Sequence, residues 1–356
     1  MAGGGGTRFW PLSRKEDPKQ LLNLSGKEIM VNETVDRIAS SVDKRDIFIV
    51  TNVDQAEKMR EVTGTRLQAD HILAEPAARN TAACIGYAAM EIVRKYEDGI
   101  MCILPSDAFI KDNEEFCNVI NAAIKAAEQT DQLVTVGIKP TFPATGYGYI
   151  RKKKGSERWI DESEKRNYAA VEEFVEKPTK ETAKQYLESQ NYLWNSGMFI
   201  WKASTILAKF ERLLPDVYEC LMEIGDSLGT ASEQEVMNRV YPEIPKISID
   251  YGIMERSKEV LVIEGDFGWN DVGSLDMLSL MKDADANGNV LYGEQINFDT
   301  TNCISYATDM LIATIGVDDL IIVQTKDAVL ICDKKRAQDV KLIVDELGAQ
   351  GKEQYL

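Results

Sequence analysis

Apolar residues fall into two rhythms along the chain. Short runs rich in β-branched residues predict strands at Ile47–Thr51, Ile72–Ala74, Ile100–Leu104 and Leu133–Ile138. A period near 3.6 residues predicts helices from Thr81 to about Tyr96 and from about Glu114 to Glu128. This alternation predicts βαβ units and a mostly parallel sheet covered on both faces. Past Pro143 the strands come closer together, at Tyr147–Arg151, Ala170–Val175 and Met198–Trp201, and are expected to form a mixed sheet over the substrate side. The polar, turn-rich stretch Lys282–Asn289 is the expected domain boundary. Residues 1–281 are then an α/β, Rossmann-like domain with a mixed, mainly parallel central sheet. Residues 282–356 are a small β-rich domain with strands at Leu311–Ile315, Leu320–Gln324 and Val329–Cys332. A closing helix places Val340, Ile343, Val344 and Leu347 on one face, and the whole tail is expected to pack on the first domain or on a second subunit.

Composition narrows the chemistry. The chain has 356 residues, 44% of them hydrophobic, which suffices for one large core and a small module. A net charge of −17 weighs against nucleic acid and anionic membranes, which need a continuous basic face. A small phosphorylated ligand needs only a few local cations and backbone N–H groups. No apolar run reaches bilayer-spanning length and no basic-then-apolar leader opens the chain, so a cytoplasmic location is expected. The six cysteines lie scattered, without a C-x-x-C pair, and are expected to be reduced. With His71 the only histidine, a His/Cys zinc site or a Ser-His-Asp triad is hard to build. His71 is expected to be a bystander.

The most informative stretch is the first. Gly3, Gly4, Gly5 and Gly6 let the backbone bring several N–H groups against an anion. Arg8, Arg14 and Lys19 follow at a spacing too irregular for one helical face, as expected of a loop around a polyphosphate. The run lacks the P-loop pattern, and Arg8 occupies the third glycine position of a G-x-G-x-x-G counted from Gly3. Two aspartates stand out elsewhere. Asp107 follows the Ile100–Leu104 strand, at the end where open α/β sheets bind ligands. Asp271 lies in Gly268-Trp-Asn-Asp-Val-Gly-Ser274, ahead of a helix. Either carboxylate also suits a helix cap. Thr145-Gly146-Tyr147-Gly-Tyr-Ile150 offers flexible backbone with aromatic walls for a hexose. Glu176 and Lys177 can accept from sugar hydroxyls and neutralise a sugar phosphate, or form an exposed ion pair.

Taken together, these stretches resemble the sugar-1-phosphate nucleotidyltransferase family. Gly3, Gly4, Gly6, Thr7, Arg8, Pro11, Leu12, Ser13, Pro18 and Lys19 match its signature G-G-x-G-T-R-L-x-P-L-[ST]-x-x-x-P-K, with Phe9 in place of Leu. The L-P-[SA]-D and G-x-W-x-D-[VI]-G motifs recur at Asp107 and Asp271, F-V-E-K-P at Phe174–Pro178, and W-N-S-G-[MI]-F at Trp194–Phe199. The resemblance implies that the glycine loop holds the nucleotide phosphates, and that Arg8 and Lys19 stabilise the pyrophosphate leaving group. It implies Mg²⁺ on Asp107 and Asp271, and a sugar phosphate held by Gly146, Tyr147, Glu176, Lys177 and Asn195. Glu75-Pro-Ala-Ala-Arg79-Asn80-Thr81-Ala resembles the E-P-x-x-R-N-T-A of the branch that uses GTP and mannose 1-phosphate. Glu75, Arg79, Asn80 and Thr81 are then nucleotide residues, with Glu75 either complementing the guanine donors or structural.

The implied reaction is in-line attack of a sugar-1-phosphate oxygen on the α-phosphorus of GTP, a nucleophile already ionised at neutral pH. Catalysis reduces to positioning and charge neutralisation by Mg²⁺, Arg8, Lys19 and Lys177. Other expectations of this class are glucose 1-phosphate with UTP or dTTP, or a homologue that binds nucleotide sugar without turnover. The resemblance implies a homodimer through the tail. Family members carry a strand ahead of the loop, and Met1 is expected to be an internal residue of that strand. Longer relatives add a phosphomannose isomerase domain, and no isomerase activity is expected here.

Overall fold

The computed structural model describes residues 1–161 and 166–356. They form two compact units, neither continuous in sequence. The first comprises Met1, Arg37–Pro105 and Ile110–Trp269, and the second Ala2–Asp36, Ser106–Phe109 and Asn270–Leu356. Among the described residues no helix is long and apolar enough to cross a membrane.

In the first unit, β1 (Ile49–Asn52) and β2 (Ile72–Glu75) pair in parallel as a small sheet. The larger, seven-stranded sheet contains β3 (Ile100–Ile103), β4 (Leu133–Ile138), β5 (Tyr149–Lys152), β6 (Arg158–Asp161), β7 (Arg166–Val175), β8 (Tyr192–Lys202) and β9 (Val260–Gly265). It is mixed, as expected, but its parallel share is smaller than the βαβ rhythm suggests. Among the described residues of this sheet only β4 and β9 pair in parallel, because the long β8 runs antiparallel to β3, β4 and β5, and β7 runs antiparallel to its neighbours. β4, a near-continuous apolar run, is buried along its whole length. β8 pairs through Tyr192–Trp194 with β5 and through Phe199–Lys202 with β3. Residues 196–198 lie in the gap between those two pairings.

Helix α1 (Met30–Ile38) carries the chain out of the second unit's sequence. The first unit then holds α2 (Val53–Thr63), α3 (Asn80–Tyr96), α4 (Asn113–Thr130), α5 (Lys180–Ser189), α6 (Ala203–Leu213), α7 (Pro215–Ser227) and α8 (Glu233–Val240). α4 starts where the Asp112 side chain accepts the Glu115 N–H at 3.0 Å, with Glu114 and Glu115 against the positive helix end. α3 packs closely on α7 because its facing residues are small: a side chain at Gly86 would meet Leu221 at 2.4 Å. Met101, Trp201, Phe210, Leu221 and Tyr241 lie in the core these elements share.

In the second unit the chain coils so that strands of successive turns stack in parallel. β10 (Val290–Tyr292), β12 (Ile304–Ala307) and β14 (Leu320–Gln324) form one such stack, closed by the antiparallel β15 (Val329–Asp333). β11 (Gln295–Phe298) and β13 (Ile312–Ile315) form another. The tail packs on the N-terminal segment: Phe9, Trp10 and Leu24 share a core with Leu275, Ile304, Ile321, Val323 and Leu330. Helix α9 (Val340–Ala349) adds Val340, Val344 and Leu347 to it. Ile343, expected on the same face, is 38% exposed because it lies at the edge of that helical stripe.

Candidate functional site

Within the second unit, the N-terminal loop, Asp107 and Asp271 converge. Gly6 sits at φ +62, and a side chain there would press on Lys19 Cβ at 2.5 Å, so only glycine fits this turn. Ser13 Oγ donates to the Gly6 carbonyl at 2.6 Å and closes the loop. Lys19 is buried at 5% exposure, and its ammonium donates to Asp107 Oδ2 at 2.9 Å and to the Asp271 main-chain oxygen at 2.6 Å. Arg8 Nη1 donates to the Gly273 carbonyl at 3.2 Å and to Gln338 Oε1 at 3.0 Å. A side chain at Gly273 would lie 3.1 Å from Asp271 Oδ2 and 3.5 Å from Arg8 Nη1, so this glycine lets the carboxylate and the guanidinium share one corner. Val272 beside it has φ +48, a conformation that strains a β-branched residue, and it is buried. Gly3, Gly4 and Thr7 lie exposed along the loop.

Neither aspartate caps a helix. Asp107 occupies a turn, α4 is capped by Asp112, and the short helix Leu275–Leu280 is preceded by Ser274. Among the described residues no group of three or more His, Cys, Asp or Glu side chains could hold a metal. Two carboxylates suit a hard cation that fills its remaining positions with phosphate oxygens and water. Arg14, read from sequence as a third phosphate cation, is taken up elsewhere. Its guanidinium donates to Asp327 Oδ1 at 2.6 Å, to Thr325 Oγ1 at 3.3 Å and to the Tyr355 carbonyl.

Within the first unit, the 75–81 loop leads from β2 into α3. Glu75 is 7% exposed, and Tyr241 Oη donates to its Oε1 at 2.5 Å. Burial pushes its carboxyl above the ordinary range. Asn80 adopts φ +68 and its Oδ1 accepts the Thr81 N–H at 2.8 Å, while Thr81 Oγ1 accepts the Ile249 N–H at 2.9 Å. Arg79 Nε is buried with no hydrogen-bond partner among the described residues. A buried unpaired guanidinium N–H beside the N-terminus of a 17-residue helix favours an acceptor from a ligand.

The sugar-side residues also come together in this unit. Asn195, at the edge of the gap in β8, is buried; its Oδ1 accepts the Gly197 N–H at 3.1 Å and its Nδ2 donates to Asp250 Oδ1 at 2.9 Å. Glu176 lies against the bare backbone of Gly148, whose absent side chain would sit 2.5 Å from Glu176 Oε1. Lys177, at φ +49, holds its ammonium 3.8 Å from Glu176 Oε2. Tyr147 stands edge-on to Trp194 and Trp269, with ring centroids 5.1 and 5.3 Å away, while Gly146 faces open space. Sequence reasoning missed Asp250 and Glu255, the latter accepting the Glu176 N–H at 3.2 Å. Asp250 opens a π-helical turn, Asp250–Met254, and no spacing rule singles out such a residue.

These carboxyls shape a pH dependence. Burial first, then the Asp250 charge, push the Glu176 carboxyl up to about 7 against the opposing Lys177 ammonium. Burial also raises Asp250 and Glu255. A carboxyl raised in the folded state stabilises the fold fully below its unfolded pKa, and that contribution is lost as pH rises through the folded value. Stability is therefore expected to fall between about pH 4.5 and pH 7.5 by on the order of 3 kcal/mol. Denaturant titrations of wild type and Glu176→Gln across that window check this, since the variant should lose most of the slope. Equal slopes would remove Glu176 as the cause.

Two family models match the chain: one described as nucleotidyl transferase over residues 1–287, and one described as MannoseP isomerase/GMP-like beta-helix domain over residues 293–347. The mannose-1-phosphate guanylyltransferase of Salmonella montevideo is 38% identical over 361 residues, covering 100% of this chain and 74% of that protein. The alginate biosynthesis protein AlgA of Pseudomonas aeruginosa is 35% identical, covering 99% of this chain and 72% of that protein. Among solved structures, the mannose-1-phosphate geranyltransferase of Thermus thermophilus is 32% identical, with a TM-score of 0.86 and 98% of each chain covered.

Proposed function

The chain belongs to the nucleotidyltransferase family, and on that premise we propose that it transfers GMP from GTP to mannose 1-phosphate, giving GDP-mannose and pyrophosphate. The observation that carries this is the Lys19 ammonium, buried between Asp107 and the Asp271 backbone with Arg8 at the next corner. Such a cluster suits charge developing on a polyphosphate rather than proton abstraction.

The nucleophile is a phosphate oxygen that needs no general base, so the chain's own residues orient and neutralise. Gly3, Gly4, Gly6 and Thr7 form the loop for the triphosphate, and Arg8 and Lys19 draw off negative charge as pyrophosphate leaves. Arg79, Asn80 and Thr81 hold the nucleotide; the unpaired Arg79 Nε supports this. Glu75 is the base-side carboxylate, with one oxygen already committed to Tyr241. Tyr147 and Gly146 wall the hexose, Glu176 accepts from its hydroxyls, Asn195 fixes the neighbouring carboxyls and Lys177 meets the sugar phosphate. Asp107 and Asp271 would hold Mg²⁺, which supplies neutralisation of the triphosphate and orients its α-phosphorus.

The enzyme is further proposed to be a cytoplasmic homodimer. Phe298 and Ile315, cross-strand partners 62% and 74% exposed, support a protein-binding face on the C-terminal strands. The test is pyrophosphate release across a grid of nucleoside triphosphates and hexose 1-phosphates, with the mass of the active species taken by light scattering. GTP with mannose 1-phosphate is expected to give the fastest release, from a particle of two chains. Faster release with another pair would overturn the specificity, a single-chain mass would overturn the dimer, and no release with any pair would overturn the activity.

A further inference from the structure

The C-terminal segment reaches the Arg8 corner through one side chain. Gln338 lies near the end of the short helix Lys334–Asp339 ahead of α9. Its Oε1 accepts from Arg8 Nη1 at 3.0 Å, and its Nε2 donates to Ser274 Oγ at 2.7 Å. Ser274, with no exposed surface, donates in turn to Asp276 Oδ1 at 2.5 Å. We propose that Gln338 is a positioning residue for the transfer, through which the C-terminal module fixes the Arg8 guanidinium beside the Asp271 carboxylate.

A long arginine side chain on an exposed loop loses about 2 kcal/mol of rotamer entropy when it is held in one place. The Gly273 carbonyl alone gives Arg8 one acceptor, about which the guanidinium can still swing. Gln338 adds a second acceptor on the same Nη1, and its own amide is held by the buried Ser274. Both contacts use Nη1, so neither engages the N–H groups of Nε and Nη2. The neutral amide matters as well. It orients the guanidinium without cancelling its charge, whereas a carboxylate at this position would pair that charge off. The same Ser274 ends the Gly268–Ser274 motif that carries Asp271, so Arg8 and the aspartate are held from one anchor.

This role rests on Arg8 acting in GMP transfer, and a double-mutant cycle tests it. Gln338→Leu keeps the side-chain bulk and removes both hydrogen bonds; Gln338→Met serves as a second variant should the first fold poorly. Because Gln338 is exposed, the melting temperature is expected to stay close to wild type. In the wild-type background kcat is expected to fall roughly tenfold, with KM for mannose 1-phosphate unchanged. In an Arg8→Ala background the same substitution is expected to cost nothing further. Equal losses in both backgrounds, or no loss in the first, overturn the inference while wild-type turnover leaves the proposed function standing. Absence of wild-type turnover overturns that function and this role with it.

Discussion

A Lys19→Met variant is expected to lose about 10³-fold in kcat for GMP transfer, with KM for mannose 1-phosphate largely unchanged. Methionine follows the lysine stem and keeps its packing, so the change is confined to the ammonium. That ammonium does two things at once. It brings fixed positive charge into a pocket where the side chain is 6% exposed, and it ties Asp107 to the backbone of Asp271. Charge in so dry a position acts on a developing anion with little screening by water. The Asp107 side chain is 39% exposed, so water takes over part of its solvation and the folding cost stays on the order of 1–2 kcal/mol. Lys19→Arg is expected not to restore turnover. The compact ammonium donates to Asp107 Oδ2 and to the Asp271 main-chain oxygen at once, a placement that a longer, planar guanidinium does not reproduce. Steady-state pyrophosphate release and thermal melts decide the matter: a preserved kcat with a lowered melting temperature would reduce Lys19 to a structural tie.

How far the sequence foretold this differs between local and long-range features. The strands at β3 and β4 and the helix α3 follow from runs and periods within a dozen or so residues, and they lie where expected. Strand direction depends on partners far away in the chain. Nothing within Tyr192–Lys202 reveals that it will run antiparallel to three neighbours and so reduce the parallel share of the sheet. The packing of Phe9 and Trp10 against the C-terminal strands was equally hidden, since burial of an apolar residue does not say against what. The candidate site divides in the same way. Lys19 and Asp271 were visible through motif resemblance, although their contact spans 252 positions. Asp250 came from structure alone, and so did the contact of Gln338 with Arg8, because each acts by touching a motif residue far away in the chain, Asn195 or Arg8. Arg14 shows the converse. Loop position made it a phosphate cation, yet a nearby carboxylate, hydroxyl and carbonyl claim its guanidinium.

Asp107→Asn is the sharpest probe of the metal assignment, with kcat again expected to fall by about 10³-fold. It separates charge from architecture in a way Lys19→Met does not. The asparagine carbonyl oxygen still accepts from Lys19, so the 2.9 Å tie to the ammonium can persist and the fold is expected to melt within about 1 kcal/mol of wild type. On that assignment, what disappears is one of two anionic oxygen donors, and a hard cation dehydrates only reluctantly for a neutral amide. The Mg²⁺ concentration giving half-maximal turnover should therefore rise at least in proportion to the lost affinity, and raising Mg²⁺ should recover part of the rate. Asp271→Asn should behave alike, with one difference. Its main-chain oxygen, which accepts from Lys19, is untouched by the substitution, so any loss there reports the carboxylate alone. If kcat falls in both variants while the Mg²⁺ dependence does not move, the two aspartates act by orienting Lys19 and Arg8. The cation must then be held by other groups.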